Sequence, residues 1–188
     1  MEAIALAFRT ARENAPNLPL LYNDYMGWEA ASDGHRTAVL KFLETMKGRG
    51  IPIDGLGIQS HLSLTEAGAG PTPAEQRAWR SFLDDVVGMG LTLTITEMDI
   101  NDGKFAGSFA QRDRAVADYA KAYLDLTLSY SQVDMVMFWG MQDKYSWLQN
   151  FKPRGDGTLK RACPYDEYGR SKPLRDAVAA ALRTAPAR

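Results

Sequence analysis

The sequence predicts an α/β fold built on a parallel sheet, and two observations carry that expectation. Short apolar runs of strand length recur along the chain: Leu20 to Tyr22, Gly55 to Ile58, Leu91 to Ile95 and Met135 to Trp139. Longer segments of helical apolar period fill the intervals between them, and a spacing of roughly 35–45 residues suits βα units with some long loops. Alternation of this kind implies parallel strands joined by right-handed crossovers.

The elements follow in order. A first helix, Glu2 to Glu13, precedes the first strand and stops before Pro16. After Ser32 and Asp33, the residues Val39, Phe42, Leu43 and Met46 fall on one helical face, and Gly48 and Gly50 end the run. Thr72, Pro73 and Glu75 occupy the N-cap, N1 and N3 positions of a capping box. Trp79, Phe82, Leu83, Val86 and Val87 then form an apolar stripe. A third long helix is expected from about Phe109 to Ser129, with Val116, Tyr119, Ala120 and Tyr123 inward. The last follows Ser171 and Pro173, with Leu174, Val178, Ala181 and Leu182 inward. Gly68 to Pro71 and Lys152 to Lys160 read as surface loops. Two architectures satisfy this order: an open doubly wound sheet, or part of a (βα)8 barrel. Asn23-Asp24-Tyr25 stands after the first strand in place of a glycine-rich phosphate loop, which argues against the nucleotide-binding version.

Composition narrows the function classes. The 188 residues are 45% hydrophobic, enough for a sizeable core. The formal net charge of −1 argues against a polyanion such as nucleic acid as partner. One cysteine, Cys163, excludes an internal disulfide framework and a cysteine-based zinc site. The first residues carry Glu2 early and Arg9 and Arg12 late, opposite to a secretory signal. No stretch approaches the roughly 18 apolar residues of a membrane span.

Chemistry is expected at the C-terminal ends of the strands. These ends are Tyr22-Asn23-Asp24-Tyr25, Gln59-Ser60-His61 and Glu97-Met98-Asp99. The fourth is Trp139, with Asp143, Lys144, Tyr145 and Trp147 beyond it. Residues two apart on a strand share a face, so Glu97 and Asp99 look into one space. Two like charges there repel unless a donor sits between them, and His61 is placed to be that donor. Glu97 and Asp99 as solvated loop residues with a structural His61 is the competing reading. A divalent metal held by the three is another, disfavoured because the second histidine, His35, lies in the first loop–helix junction. Trp139 and Trp147 suit the C–H faces of sugar rings, and Tyr25, Trp28 and Tyr145 extend the platform. Met135 and Met137 read as core fillers. Carboxylates beside flat aromatics point to carbohydrate chemistry.

The motifs LYNDY, PIDGLGIQSHL, LTITEMDIND and FWGMQDKYSWL, in this order and spacing, closely resemble glycoside hydrolase family 10. That family consists mainly of endo-β-1,4-xylanases on a TIM (βα)8 barrel, and the resemblance covers nearly the whole chain. It implies that Glu97 is the catalytic nucleophile, His61 its hydrogen-bonding partner and Asp99 the residue that fixes His61. Gln59, Asn23 and Tyr25 are implied as sugar-binding or subsite-lining groups, and Trp139 and Trp147 as an aromatic floor and wall. No cofactor or metal is implied.

The departure is equally specific. The family's general acid/base belongs to an Asn-Glu pair at the end of the fourth barrel strand, and no such pair occurs here. The expectation is therefore one partial catalytic domain, residues 1–188, forming the C-terminal half of the barrel (strands 5–8). Glu29, Asp24 and Asp143 lie near strand ends as weak substitutes for the acid. The implied parent is a retaining xylanase acting on xylan or xylo-oligosaccharide, secreted or periplasmic. The implied partner is the missing N-terminal half-barrel or a second copy of the chain. The competing function is a non-catalytic half-barrel that self-assembles or binds xylan weakly, and a different glycan is a third option.

Overall fold

A computed structural model describes every residue except Ala69 and Arg188. The expected loop from Gly68 to Pro71 therefore lies partly outside the described residues. The helices are α1 (Glu2–Asn14), α2 (Asp33–Gly48), α3 (Pro73–Gly88), α4 (Phe109–Thr127), α5 (Leu148–Phe151) and α6 (Pro173–Thr184). The strands are β1 (Leu21–Asp24), β2 (Gly55–Ile58), β3 (His61–Ser63), β4 (Thr92–Asn101) and β5 (Val133–Phe138). All pair in parallel, with β1 on β2, β2 and β3 on β4, and β5 on the other side of β4.

The helix starts are chemically set. At α3 the Thr72 hydroxyl accepts from the Glu75 amide (3.2 Å), while the Glu75 carboxylate accepts from the Thr72 amide (2.8 Å). A second capping box, Ser108 with Gln111, starts α4. Gly50 and Gly90 end α2 and α3 with φ of 66° and 74°, where any other residue pays for its Cβ. The helices bury Leu43, Met46, Leu83, Val86, Tyr123 and Leu124 against the sheet. Leu182, expected inward, is 48% exposed. It lies near the end of α6, beside the buried Ala181 that makes the contact.

The sheet departs from the expected four strands at Ser60 and at two register shifts between β4 and β5, at Leu93/Thr94 and at Ile95/Met98. Ser60 adopts φ of 61° and interrupts the second strand, so that His61 begins a separate short strand on β4. Between the pairs Ile95↔Val136 and Met98↔Phe138, β4 advances three residues while β5 advances two. This bulge places one extra residue at Thr96–Glu97 and shifts the alternation. Before it, Leu93 and Ile95 pack into the core; after it, Met98 and Ile100 do.

Simple parity carried back from the strand ends puts Ile58 and Ile95 on the open face of the sheet with Met137. The structure places them otherwise: Ile58 and Ile95 are fully buried under the helices. Met137 does face out, 41% exposed, and so does Met135, which therefore is not a core filler.

A buried ionic cluster ties the long loop after β5 to the body. The Lys172 ammonium donates to both oxygens of Asp143 (2.8 and 3.1 Å) and to the Arg161 and Cys163 carbonyls (both 2.9 Å). Arg161 grips Asp113 through two bonds of 2.8 Å. Lys172→Met should lower stability by about 3–5 kcal/mol, because it leaves the buried Asp143 without its principal counter-charge. The urea midpoint measures this, and an unchanged midpoint would show that the cluster contributes nothing. Cys163 lies beside it, and burial pushes its thiol up to about 12, which leaves it an inert packing residue.

Candidate active site

The strand ends bring five of the eight sequence-chosen residues into one chain of hydrogen bonds and a close His61–Glu97 pair. Glu97 sits just past the bulge. Its Oε1 accepts from Asn23 Nδ2 at 3.0 Å, and the Asn23 Oδ1 accepts from the Thr96 hydroxyl at 2.7 Å. Its Oε2 lies 3.4 Å from His61 Nε2. His61 Nδ1 pairs with Asp99 Oδ1 at 2.9 Å, and Asp99 Oδ2 accepts from the Trp147 indole N–H at 2.6 Å. Asp99 is buried, whereas Glu97 keeps a solvent-facing edge.

Each link has a local cause. The bulge lets two consecutive residues, Thr96 and Glu97, grip the two ends of one carboxamide, which fixes its orientation. Gly57 makes room for it: a Cβ there would stand 2.5 Å from Asn23 Oδ1. A glycine inside a strand is a sequence sign of such close approach. The left-handed Ser60 turns the chain so that His61, its neighbour, pairs with Asp99 across the β3–β4 ladder. Thr96, Gly57 and Ser60 were absent from the sequence-chosen set.

The other three residues stand differently. Gln59 contributes its backbone: its carbonyl accepts from the Glu97 amide at 3.1 Å. Tyr25 is 62% exposed, its ring stacked on His35 with centroids 4.3 Å apart. Trp139 is half-exposed at the end of β5, its amide bonded to the Met98 carbonyl. Trp147, the last of the five, also lies with its ring 5.1 Å from the His61 ring.

Other candidates are placed elsewhere. Trp28 is no platform residue: it is buried, its N–H bonded to the Tyr119 hydroxyl at 2.8 Å. Asp143 belongs to the buried ionic cluster. Glu29 accepts from the Tyr119 hydroxyl (3.1 Å), and Asp24 from the Tyr22 hydroxyl (2.7 Å).

Charge sets the protonation of His61. Burial works against the imidazolium, but the hydrogen bond and charge of Asp99, with Glu97 beyond, outweigh it and raise the pKa above the usual imidazole value. A raised folded-state pKa favours the folded form fully below the unfolded value of about 6.5, and that contribution fades as pH climbs through the raised one. An NMR titration should therefore place His61 above 6.5, and Asp99→Asn should bring it down. A His61 titrating below a free imidazole side chain would contradict the geometry.

A parallel α/β sheet carrying its polar cluster at the C-terminal strand ends has the layout of a TIM-barrel active face, and the solved structures it matches place it in that class. The structure superposes on native xylanase 10B from Thermotoga maritima with a TM-score of 0.82 and 30% identity, over 97% of this chain and 52% of that one. Xylanase 10B from Thermotoga petrophila, in complex with xylobiose, gives the same score and identity over 51% of its chain. Endo-1,4-beta-xylanase 5 of Pyricularia oryzae is 33% identical over 98% of this chain and 43% of its own. The family model for glycosyl hydrolase family 10 matches residues 1–181. The chain belongs to glycosyl hydrolase family 10. It spans about half the length of the relatives it matches.

Proposed function

We propose that these residues form the nucleophile-bearing half, βα units five to eight, of a retaining endo-β-1,4-xylanase barrel. The observation that carries this is the Asn23–Glu97–His61–Asp99–Trp147 chain. A carboxylate held by a carboxamide on one oxygen and facing an imidazole on the other is fixed in place and aimed, as an attacking group needs. Glu97 attacks the anomeric carbon of a xylosyl unit and the leaving sugar departs, giving a glycosyl-enzyme ester. Asp99, itself held by Trp147, fixes the ring plane of His61. A retaining mechanism needs a second carboxyl about 5–5.5 Å from the first to protonate the leaving oxygen and then activate water. We assign it to a segment outside these 188 residues. The half-exposed Met135, Met137 and Trp139 are consistent with a sheet face that the N-terminal half-barrel, or a second copy, would cover. Xylan is a polymer met outside the cell, which supports a secreted or periplasmic parent.

Covalent trapping tests the nucleophile. A 2-fluoro xylobioside with a dinitrophenolate leaving group needs no acid, so incubation with the chain complemented by a relative's N-terminal half should leave a xylobiosyl ester on Glu97, read by peptide mass. An ester on another carboxylate would overturn the assignment.

A further inference from the structure

A cavity of about 850 Å³ adjoins the site just described. It shares Ser63 and Asn101 with a smaller hollow that reaches His61, Asp99 and Trp147, and Glu29 and Ser63 with another that reaches Tyr25 and His61. The cleft therefore continues from the carboxylates past the end of β3.

One wall of this cavity is cationic. Lys160 lines it although only 1% of the residue is exposed. Its backbone is clamped on both sides by the Gln149 side chain, amide to Oε1 and carbonyl from Nε2, each at 3.0 Å. The bare Gly103 leaves room beside it: a Cβ there would stand 2.9 Å from Asn101 Oδ1 and 3.3 Å from Lys160 Cε. Among the described residues no carboxylate or carbonyl accepts from the Lys160 ammonium. A buried ammonium is costly without a partner, and burial indeed pulls its pKa below the usual lysine value, against the pull of Asp102.

Neighbouring groups add donors. Asn101 Oδ1 is taken by the Gly103 amide at 3.0 Å, which leaves its NH2 group for a ligand. Lys104 and Lys152 stand exposed at the rim. The acidic lining is mostly spoken for. Glu29 accepts from Tyr119 and from the Ser63 amide, Glu75 is held in its capping box and by the Ala30 amide, and only Glu66 remains, on an exposed turn.

We propose that the Lys160 ammonium and the Asn101 amide receive the carboxylate of a uronic-acid unit carried by the glycan, several ångströms beyond the cleaved bond. A carboxylate is the anion that a sugar chain itself supplies, and a clamped, buried ammonium at the cavity wall is a strong partner for it. This rests on the glycan-cleft reading above and adds a specificity to it.

Calorimetric titration of the 188-residue chain tests it with three probes: xylotriose, xylotriose bearing a glucuronic acid branch, and the methyl ester of that branched sugar. A charge-assisted contact should make the acid bind about tenfold tighter than the other two. Lys160→Met should erase that advantage and leave xylotriose binding unchanged. The ester removes the charge from the ligand rather than the protein, so the comparison stands even if the variant misfolds. Equal binding of acid and ester overturns the proposal and leaves the glycan reading intact. Absence of binding by all three overturns both. Equal competition by inorganic phosphate would make this a general anion hole and overturn the sugar assignment.

Discussion

Glu97→Ala should abolish glycoside cleavage in the complemented barrel, by at least about 10⁴-fold in kcat, because removal of a nucleophile takes away the covalent route rather than part of its assistance. Stability should change little. Glu97 lies at the solvent edge of the sheet, and Asn23 keeps its bond from Thr96 when the carboxylate is gone. His61→Ala should cost less, because His61 orients Glu97 and does not attack. Rate assays on xylan with matched urea midpoints separate the two. Substantial cleavage by Glu97→Ala would remove Glu97 from the mechanism.

The second large effect concerns the 188-residue chain alone. Purified and verified by mass, it should give no measurable hydrolysis of xylan. A sugar is a poor leaving group, and protonating it contributes about 10²–10⁴ in rate. The candidate substitutes do not stand ready. Asp143 is locked to Lys172, and Asp24 and Glu29 accept from tyrosine hydroxyls. Adding the N-terminal half of a family relative should restore turnover. Clear turnover by the chain alone would mean that one of its own carboxyls serves as the acid.

Much of this was legible in the sequence, for reasons that differ by element. Helices α2, α3 and α4 announce themselves by apolar spacing, and Thr72 and Glu75 mark a start that the structure reproduces hydrogen bond by hydrogen bond. The polar strand ends were visible because apolar runs stop there, so Asn23, His61, Glu97 and Asp99 could be chosen before any coordinates. Backbone irregularity was not visible. The positive φ of Ser60 and the extra residue at Thr96 leave no periodic trace, and carrying one parity through them misplaced Ile58 and Ile95. Trp28 was misread because a tryptophan beside a strand end fits a core and a sugar platform equally well; the Tyr119 hydroxyl decides it. Lys160 could not have been found at all. It lies in a polar loop, 59 residues from Asn101, and only the fold buries it.

The bulge at Thr96–Glu97 has a consequence for engineering. It makes β4 two reading frames in one strand. Positions 93 and 95 are read by the helices, which ask only for an apolar side chain of the right volume. Positions 97, 99 and 101 are read by the cleft, which asks for particular atoms. The scaffold upstream of the joint is therefore free to be redesigned as an ordinary buried strand. A graft of this carboxylate pair onto another barrel must carry the joint with it, because on a strictly alternating strand that keeps residues 93 and 95 buried the same three side chains would point into the wall.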